Sequence, residues 1–144
     1  VCIDRREGAF PIKTFTLEIG MRRPLGIGTG SLAILSALSE EEIRHTIDAN
    51  AARLPEYGLA ANSLTVQVRR AQKLGYAVRE APTLAGVRSI GLVVRNQGGV
   101  AFAALSVSAI SSRMNDKRIA ELATMLKNEI RLIEKQLVSG GDSR

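Results

Sequence analysis

The feature that most constrains this chain is a pair of apolar runs, Val87–Arg95 and residues 100–110, joined by Asn96-Gln97-Gly98-Gly99. Each run has the length of a strand, and the intervening glycines supply backbone conformations that a tight hairpin turn demands. Both runs are apolar enough to lie centrally in a sheet. The shorter stretch from Tyr76 to Arg79 reads as a further strand, separated from the hairpin by a loop that contains Pro82 and Gly86.

Helical signals surround this hairpin. From Asn115 onward, Ile119, Leu122, Leu126, Ile130, Ile133 and Leu137 recur every three or four residues, the spacing of one apolar stripe on a long helix. Asn115 is placed to cap it, Lys127, Glu134 and Lys135 fall on the outer face, and residues 139–144 are expected to fray. Earlier, Ser39-Glu40-Glu41-Glu42 has the capping-box spacing, which predicts a helix over residues 40–52. Asn62 is placed to cap another helix carrying Leu64, Val68, Ala71 and Leu74, and Gly75 to end it. Residues 55–61 read as a loop. Gly26-x-Gly28-x-Gly30 forms a glycine-rich loop that runs into the helix-compatible residues 32–38.

The first twenty residues alternate apolar and polar side chains in two segments. Residues 1–6 read as a strand interrupted at its beginning, and residues 12–19 as a second strand with Phe15, Leu17 and Ile19 toward the core. Strands and helices in this arrangement predict one α+β domain with a mainly antiparallel sheet over all 144 residues.

Composition narrows the function. A hydrophobic content of 45% and a charged content of 24% suit a chain that buries a core. Aromatic residues make up 3%, so platforms on which bases stack are scarce. The net charge of +6 suits a nucleic-acid partner, yet Arg5-Arg6, Arg22-Arg23 and Arg69-Arg70 are scattered pairs rather than one basic stripe. A single cysteine, Cys2, forms no internal disulfide and suits the cytoplasm. No apolar run approaches the length of a membrane span, and the start does not read as a signal peptide.

The chemistry-bearing residues give no catalytic set. The single histidine, His45, stands beside Glu41 and Glu42 on a helix, where a solvated position suits it better than general-base work. One His and one Cys leave only carboxylates for a metal, and none has the spacing of an oxygen-ligand loop. The glycine loop lacks the Gly-Lys-Ser/Thr ending of a nucleotide-triphosphate loop, and reads either as a flexible connection or as a pocket wall. In Ala104-Leu105-Ser106-Val107-Ser108 the two hydroxyls share one face of a strand. They bond neighbouring backbone and water, or they line a small ligand cavity.

Several anchors in order resemble one family. Gly20-Met-Arg-Arg-Pro-Leu25, Gly75-Tyr-Ala-Val78, Gly86-Val-Arg-Ser-Ile90, Ala103-Ala-Leu-Ser-Val-Ser108 and Ser112-Arg-Met-Asn115 together resemble the effector-binding domain of IclR-type bacterial transcription regulators. The resemblance implies a GAF-like curved antiparallel sheet with flanking helices, those helices on one side and a ligand pocket on the other. It implies homodimers or tetramers, DNA contact only through a winged helix-turn-helix outside this chain, and a small organic or aromatic acid as effector. It implies no catalytic residue, metal, cofactor or membrane partner. Carried onto this sequence, the pocket positions are Thr29, Gly30, Arg79, Val87, Ser89, Ser106 and Ser108. Arg88 joins Arg79 as a possible donor of planar N–H groups to a carboxylate. The sequence departs from the family in two places: Leu32 stands where a lysine is usual, and Arg79 where an acid is frequent. Two other readings remain open at this point, a small enzyme acting on an acidic metabolite and a basic nucleic-acid-binding module.

Overall fold

In a computed structural model, residues 1–10, 17–82 and 84–141 are described. Helices α1 (Thr29–Ser36), α2 (Glu40–Asn50) and α3 (Ala61–Leu74) precede strands β1 (Ala77–Glu80), β2 (Val87–Arg95) and β3 (Ala101–Ile110). Helix α4 (Asp116–Gly141) closes the order. The strands form an antiparallel sheet ordered β1-β2-β3, so the hairpin expected from the two apolar runs is present.

Helices cover both sheet faces, where only one was expected. Strand parity explains why. On one face Val78, Ile90, Leu92 and Val94 are buried with Met114, Ile119, Leu122, Ala123, Leu126 and Ile130, so α4 packs there. On the other face Ala77 is buried with α1, α2 and α3, through Leu32, Leu35, Ile43, Ile47, Leu64 and Val68. An apolar central strand such as β2 needs cover on both sides, because an exposed face would leave several aliphatic side chains in water at about 1.5–3 kcal/mol each.

Local signals hold well. The Ser39 hydroxyl accepts from the Glu42 amide, and the Glu42 carboxylate accepts from the Ser39 amide. Gly75 ends α3 at φ +75°. The Asn115 side chain accepts from Arg118 N–H at 2.9 Å at the head of α4.

Several expectations need correction. Helix α3 starts one residue before Asn62, and Ser63 fixes its start through bonds in both directions with Ala60. Among the described residues, 1–6 form no strand, although Cys2 pairs with Gly20 and Met21. Gly20 sits in a positive-φ turn beside these two bonds. Of the second expected strand, residues 11–16 lie outside the described residues, while Leu17 is half-buried and Ile19 exposed, not core. Helix α4 continues to Gly141, and residues 142–144 lie outside the described residues. Its stripe is buried as far as Ile130, but Leu137 is exposed where Gln97 of the hairpin turn meets the helix backbone. Glu134 is half-buried and accepts from the Arg95 amide at 2.8 Å.

Candidate functional site

The face of the sheet under α1 collects most of the expected binding residues. Register aligns Arg79 with Ser89 and Ser89 with Ser108, giving one cross-strand row. The Ser89 and Ser108 hydroxyls lie 2.8 Å apart and bond to each other. Ser89 is buried, Ser108 half-buried and Ser106 exposed, so the two hydroxyls of β3 are not enclosed in solid core. Val87 is buried on the same face of β2 as Ser89.

Helix α1 reaches this row because the sheet lets it. A Cβ built on Gly91 would stand 2.7 Å from the Thr29 carbonyl oxygen and 2.9 Å from the Gly30 nitrogen, so only glycine permits the helix to sit so low. A Cβ on Gly30 would meet Ser106 at 3.5 Å, which places Thr29 and Gly30 over Gly91 and Ser106. The first helical bond of α1 runs from Leu32 N–H to the Gly28 carbonyl. The amides of residues 29–31 therefore have no helical acceptor and give this end of the helix partial positive charge.

Arg79 adds a full positive charge at the same end. It is 8% exposed, and its Nη2 donates to the carbonyls of Gly26, at 2.8 Å, and Ile27. Nη1 donates to Gln67 Oε1 at 2.5 Å, and Nε has no partner among the described residues. Among the described residues no carboxylate bonds this guanidinium. Burial lowers its pKa to about 10, which still leaves it charged at neutral pH.

Arg88 does not join the site. It neighbours Ser89 along β2 and so projects from the opposite face, where it donates to the Met114 carbonyl at 2.7 Å and to Asp116 at 2.7 Å. Arg88 secures the approach to α4 instead. His45 is exposed on α2. Among the described residues no His, Cys, Asp and Glu cluster could hold a metal ion.

Two grooves lie away from the row. An open groove of about 590 Å³ is lined by Arg5, Arg6, Glu7, Glu18 and Ile19. A smaller one of about 210 Å³ lies at the other end of α1, beside Ser36, Gln72, Tyr76 and Arg95. We take the row as the candidate site because it gathers buried polar groups, whereas the larger groove lies over exposed charged residues. The carbonyls of Gly26 and Ile27 hold its Arg79 end.

Sequence reasoning missed Gln67 and Gly91. Gly91 carries a readable signal, since a lone glycine in the middle of a strand marks close approach by another backbone. Gln67 carries none, because nothing local distinguishes it from other polar residues on α3.

Residues 1–134 match the family model for the bacterial transcriptional regulator IclR C-terminal region. The chain belongs to the IclR family. It is 28% identical over 110 residues to the acetate operon repressor of Salmonella typhimurium, covering 75% of this chain and 40% of that protein. Among solved structures, the repressor BlcR of Agobacterium tumefaciens aligns with a TM-score of 0.75 at 25% identity, covering 85% of this chain and 51% of that one. An IclR homolog from Microbacterium hydrocarbonoxydans, complexed with 4-hydroxybenzoate, shares the fold with a TM-score of 0.71 at 18% identity, covering 90% and 52%. The chain thus spans less than half the length of the curated relatives it matches. Those IclR relatives are transcriptional regulators. No helix among the described residues is long and apolar enough to cross a membrane.

Proposed function

We propose that these 144 residues are the effector-binding unit of a bacterial transcription regulator, taking a small organic or aromatic acid at the Arg79–Ser89–Ser108 row. Ligand binding biases how paired copies are arranged, and through them a winged helix-turn-helix elsewhere in the whole protein. DNA is read only there, in the cytoplasm. The ligand leaves unchanged, so the unit is not an enzyme and uses no cofactor.

One observation carries this reading. Arg79 is a buried cation whose partners among the described residues are neutral oxygens, next to the positive end of α1. Buried charges are normally paired, because desolvation costs several kcal/mol per ion. An anion arriving here supplies the missing charge and can accept from the Ser108 hydroxyl and the first amides of α1. Membership in the IclR family supports the same reading, and the 4-hydroxybenzoate held by a fold neighbour recommends hydroxybenzoates as first probes.

Calorimetry with 4-hydroxybenzoate and related acids tests the proposal. Arg79→Ala should weaken the best acid by about ten- to a hundredfold, the worth of one charged hydrogen bond at roughly 1.5–3 kcal/mol. Arg131→Ala, on the exposed face of α4, should change little. Equal affinity in the Arg79 variant, or preference for a neutral ligand, refutes the anion site. Turnover of the acid would refute the sensor and restore the enzyme reading. Salt-dependent DNA binding by this chain alone would favour the nucleic-acid module.

The reading includes homodimers or tetramers built through this domain. Val100, Phe102, Met125 and Leu132 are exposed apolar residues that such pairing would cover. A purely monomeric sedimentation profile at high micromolar concentration would refute it.

A further inference from the structure

The donors of Arg79 can be counted against its acceptors. A guanidinium has five N–H groups. Nη2 spends both of its own on the carbonyls of Gly26 and Ile27, and Nη1 spends one on Gln67. The Nε–H and one Nη1–H are left, and these two are not neighbours around the planar group. A carboxylate is gripped bidentately by adjacent donors, either Nε with Nη2 or Nη1 with Nη2. Both pairs need Nη2, and Nη2 is full.

We propose that a carboxylate ligand gains its two-point grip on Arg79 only by displacing a carbonyl of Gly26 or Ile27, so that ligand occupancy unlatches the loop leading into α1. The inference rests on the sensor reading above and adds the step by which binding moves the protein. A carboxylate wins this exchange because it is a stronger acceptor than a neutral carbonyl toward a charged donor. A neutral ligand of the same shape lacks that advantage, so the latch also selects for acids.

The surroundings suit such a step. Arg79 is 8% exposed and its Nη2 is held by the Gly26 and Ile27 carbonyls, so a ligand that grips this guanidinium meets those carbonyls first. Gly26 stands at φ +97°, and the loop has a second anchor in Ser31, whose hydroxyl accepts from Gly26 N–H at 3.2 Å and Gly28 N–H at 3.0 Å. Release at Arg79 leaves that anchor in place. The loop then pivots at the head of α1, which rests directly on Gly91 of the central strand.

Hydrogen exchange of the amides in residues 25–31 tests the latch in the 144-residue chain. The probes are 4-hydroxybenzoate, succinate and neutral 4-hydroxybenzamide. A bound acid should raise exchange in this segment by about fivefold or more, and the neutral amide should not. Arg79→Met should raise it without ligand. Arg79→Lys keeps a charge that can hold the carbonyls but has no planar fork. It should protect the ligand-free loop like the parent, bind acid about tenfold more weakly and lose the acid's loosening effect. Acid binding with unchanged or slower exchange overturns the latch and leaves the sensor standing. A ligand-free Arg79→Met loop as protected as the parent overturns it as well, as does equal loosening in Arg79→Lys. Binding of neither acid removes the sensor reading and the latch together.

Discussion

Replacing Gly91 by alanine should unseat α1 from the sheet. The added methyl would stand 2.7 Å from the Thr29 oxygen and 2.8 Å from its carbonyl carbon, where ordinary contact begins at 3.4 Å. The two backbones must therefore part by about 0.7 Å. Neither can yield by a rotamer change, since the obstacle is main chain on both sides. A radial gap of 0.5–1 Å forfeits about a quarter to a half of each dispersion contact across it, and α1 brings the fully buried Leu32 and Leu35 to that packing. Overpacking of this kind costs roughly 1–3 kcal/mol, and the backbone clash places Gly91→Ala in the upper half, about 2–3 kcal/mol. Urea unfolding followed by far-ultraviolet circular dichroism reads this as a lower midpoint at unchanged slope. Acid binding should weaken in parallel, because Thr29 and Gly30 move from the row. A variant within about 0.5 kcal/mol of the parent would show that α1 does not rest on Gly91, and the site's geometry would fall with it.

Gly30→Ala meets only ordinary contacts at 3.5 Å, and should gain about 0.5 kcal/mol from lower chain entropy, read from the same unfolding curves. Ser39→Ala removes the α2 cap and should cost about 1 kcal/mol at neutral pH. Bonding to Ser39 lowers the Glu42 pKa below 4.5, so its contribution is present above that pH and disappears as pH falls through the lowered value. The gap between parent and Ser39→Ala should accordingly narrow in acid, and a gap constant down to pH 3 would count against the cap. Arg88→Ala should lower stability by about 1–3 kcal/mol, since the half-buried Met114 carbonyl bond is lost, yet leave acid affinity within about twofold. Tighter coupling of Arg88 to affinity would show that both arginines serve one site.

What the sequence determined by itself is what short-range chemistry settles. The hairpin at Asn96–Gly99, the capping box at Ser39, the glycine stop at Gly75 and the α4 stripe each depend on residues within a turn or two, so local pattern suffices. Strand parity lies in the same class: Arg88 and Ser89 are adjacent and must face apart, which already separates Arg88 from the serine row. The resemblance to the IclR family drew its strength from the order of such local anchors. Only the tertiary structure decided what Arg79 does. Its partners Gly26 and Ile27 are 53 and 52 residues away and Gln67 lies on another helix, and these meet because β1 pairs with β2 in one register and α1 settles on Gly91. Register across a six-residue connection and the depth of a helix on a sheet follow from the sum of many packing contacts, none of which is written in any one stretch of chain.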